Sequence, residues 1–151
     1  MIEINNLTTN SIDEEFLKRC VKIVLEGEKI KIEPELSIAL VGQGRIRQIN
    51  KKYRKKNRVT DVLAFPESKV LLEKFRVGPF QRVQGLGEIV ICLREVRKNA
   101  KRYNTSFEKE LARVLIHGVL HLLGYDHEKS EVEAKRMEEK EKYYLSQFLK
   151  F

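Results

Sequence analysis

Residues 105–127 read TSFEKELARVLIHGVLHLLGYDH. Phe107, Leu111, Val114, Leu115, Ile116, Val119, Leu120, Leu122 and Leu123 cover most of the circumference of a helix. The spacing therefore predicts a helix over about 105–123 that is buried nearly all round. Thr105 and Glu108 stand at capping-box spacing at its start. Gly124 stands where a C′ glycine lets the chain reverse. Such a helix has to lie at the centre of a domain, with other elements packed around it. One polar stripe interrupts it: Glu110, Arg113, His117 and His121.

Working outward from this helix, the chain alternates strand and helix patterns. Strands are expected at 2–7, 35–42, 61–66 and 86–93. A helix beginning at Ser11 has Ile12, Phe16, Cys20 and Val24 every four residues, with Ser11 and Glu14 as its capping box and Gly27 after its end. Basic helices are expected at 44–56 and 94–104, and a charged one at 130–148. Residues 67–85 carry Gly78-Pro79 and no clean period, and read as a long loop or a hairpin. This order predicts an α/β (α+β) fold. It is a single domain over 1–151, a small mixed sheet of about four strands with helices packed on it.

A chain of 151 residues buries enough surface to fold without a disulfide or a structural metal. Cys20 and Cys92 are far apart, lie in apolar runs and read as buried free thiols, which fits a reducing compartment. The N-terminus lacks the basic start and apolar stretch of a signal peptide. No apolar run approaches the roughly 18 residues that span a bilayer. The expectation is a cytoplasmic protein without a membrane partner. Its formal net charge is +8, which favours a polyanionic partner.

All three histidines of the chain fall in the opening stretch. His117 and His121, four residues apart, share one helix face and can reach one ion. The turn at Gly124 can bring His127 toward the same point. Three imidazoles with an open fourth position form the donor set of a catalytic zinc site. The spacing also matches the H-E-x-x-H-x-x-G-x-x-H pattern of zinc proteases at all three histidines and at the glycine. Gly118 stands where that pattern has its general-base glutamate, which disfavours a peptidase. Asp126 either orients an imidazole or caps the turn.

KKYRKKNR (51–58) holds six cationic residues in eight, with Arg45 and Arg47 upstream. Lys51, Lys52, Arg54, Lys55, Lys56, Arg58, Arg45 and Arg47 can contact phosphates, and Tyr53 can stack on an unpaired base. A second cluster comprises Arg94, Arg97, Lys98, Lys101 and Arg102 with Tyr103. A solvated helix face is the other reading of such runs.

HGVLHLLGYDH (117–127) resembles the H-G-x-L-H-L-x-G-Y-D-H signature of the YbeY family of bacterial endoribonucleases. INKKYRKKNRVTDVLAFP (49–66) and LGEIVI (86–91) resemble two further blocks of that family. Here Ile49 stands for Leu, Val59 for Pro, Ala64 for Ser and Glu88 for Asp. The resemblance implies one Zn2+ ion held by His117, His121 and His127, with Arg54 and His117 as catalytic residues. It implies cleavage of single-stranded RNA in 16S ribosomal RNA 3′-end maturation and ribosome quality control. The implied partners are ribosomal RNA and the small subunit or one of its proteins. A non-catalytic, zinc-stabilised RNA- or ribosome-binding module and a metal-dependent peptidase stay open as alternatives.

Overall fold

ELSIALV alternates between two apolar faces and forms strand β2 (Glu35–Val41) at the middle of the sheet. The computed structural model describes residues 1–30, 34–67 and 85–150. The loop or hairpin expected at 67–85 lies, apart from its two end residues, outside the described residues. In chain order the elements are β1 (Ile2–Asn6), α1 (Glu14–Gly27), β2, α2 (Gln43–Arg54), β3 (Val62–Pro66), β4 (Gly85–Cys92), α3 (Leu93–Arg102), α4 (Phe107–Leu122) and α5 (Glu131–Leu149). The four strands form one sheet in the order β1-β2-β4-β3. β1, β2 and β4 run parallel, and β3 pairs antiparallel with β4 at the edge. This is the mixed sheet with packed helices that the sequence pattern predicts.

The two faces of the sheet differ. Leu36, Ile38 and Leu40 of β2 and Leu86, Ile89 and Ile91 of β4 enter the main core with residues of α1, α3, α4 and α5. Ala39, Val41, Leu63, Val90 and Cys92 face a smaller cluster closed by Ile46 of α2. The basic helix α2 thus stands on the opposite side of the sheet from the central helix α4. Burial of a large aliphatic side chain contributes roughly 1.5–3 kcal/mol. The buried Leu111, Val114, Leu115, Ile116, Val119, Leu120 and Leu122 therefore fix where α4 lies, independently of its histidines.

Two details of the sequence reading change. α1 starts at Glu14, not Ser11, because Asp13 caps it by accepting from the amides of Glu15 and Phe16. Ser106 rather than Thr105 caps α4, accepting from Lys109 N–H at 3.1 Å, since the first helical residue is Phe107. An Asp or Ser immediately before the first turn reaches the free amides that a residue farther upstream cannot. Ser130 caps α5 in the same way. Cys20 and Cys92 are buried free thiols, and burial pushes Cys20 up to about 12. Among the described residues no helix is long and apolar enough to cross a membrane.

Candidate metal centre and cleft

α4 ends in the hydrogen-bond pattern that a glycine at C′ permits. Gly124, at φ 100°, donates to His121 C=O at 3.0 Å, and Tyr125 N–H donates to Leu120 C=O at 3.0 Å. The paired reversal bonds turn the chain back over the last helical turn. His127 is thereby brought beside the helical histidines, with ring centroids 5.4 Å from His117 and 5.0 Å from His121. One ring nitrogen from each of the three lies within 4.8 Å of the others. Asp126 caps this turn, its carboxylate accepting from Glu128 N–H at 2.9 Å.

The imidazoles are placed so that they could hold one ion. His117 Nδ1 lies 2.8 Å from Glu141 Oε1, which places the proton on Nδ1 and leaves the Nε2 lone pair pointing inward. His117 Nε2 and His121 Nε2 are 3.1 Å apart. Two nitrogens on a tetrahedral zinc lie about 3.3 Å apart, given bonds of about 2.0–2.1 Å. The helical pair therefore needs almost no adjustment to bind one. Burial, then the neighbouring charges of His117 and His127, push His121 down to about 4, with Asp126 opposing and Arg54 adding weakly. His121 is thus neutral near pH 7, the form that binds a metal. The donor set fits a borderline cation of the zinc type.

Behind the histidines the polar stripe of α4 neutralises itself. Glu110 is only 2% exposed and receives two bonds from Arg113, at 2.9 and 2.8 Å. That hydrogen bonding raises the Arg113 pKa, opposed by burial and supported by the charges of Glu110, Glu141 and Asp61. The guanidinium also lies 3.8 Å from both Glu141 and Asp61. Asp61 is itself held by Asn99 at 3.2 Å. Arg113 therefore joins the carboxylate that orients His117 to the strand side of the cleft. Asp61 falls in the quoted block 49–66, whereas Glu141 lies in none of the quoted blocks. Glu141 is one acid in the run EEKEK (138–142), and only its place on the packed helix separates it from its neighbours.

The histidines open into a cleft of about 220 Å³. Arg54, Lys56, Arg58 and Asp61 share its wall with His117, His121 and His127. Lys55 adopts a left-handed conformation, φ 60°, and ends α2 directly after Arg54. Asn50, 2% exposed, donates to Arg58 C=O at 3.0 Å and its carbonyl accepts from Lys56 N–H at 3.2 Å. It folds the basic segment back against the helix, a function the sequence reading does not assign. Arg45, Arg47, Lys51, Lys52, Tyr53 and Lys55 are not part of the cleft wall. Arg47 bonds Asn57 at 2.9 Å, and the exposed Tyr53 packs edge-on against Phe65. Glu88, the longer acid of the third block, lies elsewhere, in a second cleft of about 440 Å³ with Glu3, Glu35 and Glu67.

Gly118 is buried where α4 crosses the sheet. A Cβ there would sit 3.2 Å from two side-chain atoms of Ile89. The position matching the zinc-protease glutamate is therefore a tight contact between α4 and β4. A glutamate there would require Ile89 to give way by a few tenths of an ångström, which adds to the sequence argument against a peptidase.

The comparisons with known proteins agree with this geometry. The family model described as endoribonuclease YbeY matches residues 3–149. The chain is 42% identical over 131 residues to an endoribonuclease YbeY of Persephonella marina, covering 87% of this chain and 80% of that one. It is 37% identical over 149 residues to that of Chlorobium luteolum, covering 99% and 98%. A protein of Thermotoga maritima solved in solution superposes with a TM-score of 0.65 at 33% identity, over 98% of this chain and 89% of that one. Sequence blocks, fold and the arrangement of the histidines thus converge, and the chain belongs to the YbeY endoribonuclease family.

Proposed function

We propose that this endoribonuclease uses one zinc ion, held by His117, His121 and His127, to cleave single-stranded RNA. Its place in the cell is then cytoplasmic, in 3′-end maturation of 16S ribosomal RNA and in ribosome quality control, with the small subunit or one of its proteins as partner. The observation that carries the reading is the sharing of one cleft by the three imidazoles and by Arg54, Lys56 and Arg58. Zinc bound there supplies Lewis acidity toward a phosphodiester and a coordinated water of lowered pKa. Arg54 clamps the phosphate through two parallel hydrogen bonds, a geometry that lysine lacks. Lys56 and Arg58 add positive charge to the same wall. Glu141 keeps the His117 proton on Nδ1, so that Nε2 stays a donor to the ion.

The test is cleavage of single-stranded RNA by purified protein, with His117→Ala prepared to the same purity. Activity should be lost in a chelator, return with zinc, and be absent from His117→Ala. Arg54→Glu should suppress cleavage while zinc stays at full stoichiometry. RNA bound without cleavage in any metal state would instead identify a binding module. The ends of the products separate direct hydrolysis from attack by the RNA 2′-hydroxyl: a 2′,3′-cyclic phosphate requires the latter.

A further inference from the structure

His117 and His121 are held by the hydrogen-bond ladder of α4, but His127 lies beyond the helix end on an exposed turn. Its distance from the other two is set by how that turn is tied down. Tyr125, two residues before it, is 7% exposed. Its hydroxyl donates to Glu28 Oε1 at 2.5 Å. Arg136 lies over the tyrosine ring at 5.2 Å.

Glu28 caps the C-terminus of α1, distant in sequence, and its side chain is 8% exposed. Its second oxygen accepts from the Tyr144 hydroxyl and from Lys140 Nζ, the latter at 3.1 Å. Gly27 makes room for this arrangement, because a Cβ there would overlap the Tyr144 ring. Burial alone would raise the Glu28 pKa; the bonds from Tyr125, Tyr144 and Lys140 reverse this and hold it below the usual carboxylate value. A buried carboxylate with both oxygens engaged permits little movement of its partners, since releasing one leaves a polar group unpaired.

We infer that Glu28 is a positioning residue of the metal centre: by holding the Tyr125 hydroxyl it fixes the 124–127 turn and so the reach of His127 to the ion shared by His117 and His121. The inference rests on the proposed zinc site, and on no assumption about RNA. Glu28 joins the end of α1, the histidine turn and α5, and α5 also supplies Glu141 to His117. The C-terminal helix thus steadies both the helical and the turn-borne part of the donor set.

Two tyrosines on one carboxylate allow the role to be separated from core packing. Tyr125→Phe and Tyr144→Phe each delete one hydroxyl bound to Glu28 and keep the ring. Zinc affinity of the full chain, measured by competition with a chromophoric chelator, should fall about tenfold in Tyr125→Phe, the lower end for groups supporting a ligand. It should stay within about twofold of wild type in Tyr144→Phe, although both variants melt earlier without metal. In a His127→Ala background the Tyr125→Phe effect on zinc should vanish, since coupled residues lose their separate effects. Equal zinc affinity in Tyr125→Phe and wild type would overturn the inference and leave the zinc site standing. An undiminished Tyr125→Phe effect without His127 would overturn it as well. Failure of the wild-type chain to bind zinc would overturn both.

Discussion

Glu141 lies in none of the quoted sequence blocks, yet it is the acid beside His117. Its carboxylate touches His117 Nδ1 and lies 3.8 Å from Arg113, so it both fixes a ring and shares a charge network. Partners that orient a ligating imidazole typically govern metal affinity by about 10–100-fold. Glu141→Ala should therefore lower zinc affinity within that range, read by the same chelator competition. Unchanged affinity would mean that the α4 backbone alone orients His117. The histidines themselves were legible in the sequence, because helical spacing and a C′ glycine dictate their convergence. Asn50 and Asp61 were not legible as parts of the cleft. Each acts on a backbone or side-chain group that only folding brings near.

At the scale of elements, the central helix is placed by its apolar surface and the site follows. Gly118 permits α4 to approach β4, with Ile89 already at the limit of contact for an added Cβ. Gly118→Val should destabilise the protein by about 1–3 kcal/mol, the range for overpacking a filled core, as measured by denaturant unfolding of the metal-free chain. A neutral result would mean that Ile89 shifts freely and that the helix–sheet distance is not set there. The capping boxes illustrate a limit of local reading. Ser11 with Glu14 and Thr105 with Glu108 have the right spacing, yet Asp13 and Ser106 take the caps. Several polar residues precede each helix, and the first helical turn is chosen by which apolar residues reach the core.

At the scale of the whole molecule, the two clefts differ in charge: that of the histidines mixes cations with Asp61 and Glu128, whereas the charged side chains of the other are all acidic. Arg54, Lys56 and Arg58 border the histidine cleft, while Glu3, Glu35, Glu67 and Glu88 gather around another. The buried Glu28 links distant parts of the chain, and its lowered pKa gives stability a pH dependence of known sign. The unfolded chain takes up this proton near the ordinary value of 4.5, the folded chain only at lower pH. The stabilisation is fully present above that value and is lost as pH falls through the folded pKa. Wild type should exceed Glu28→Gln in melting temperature at neutral pH, with the gap closing below about pH 4.5. A gap that stayed constant with pH would show that the charge of Glu28 contributes nothing. By itself the sequence determined the elements, the central place of α4, the convergence of three imidazoles and the family. Those properties follow from periodicity, turn chemistry and motif, which act over a few residues. Only the tertiary structure decided which acids support the site, which cations reach the cleft and why residue 118 is glycine. Those depend on groups far apart in the chain, and packing alone sets the distances between them.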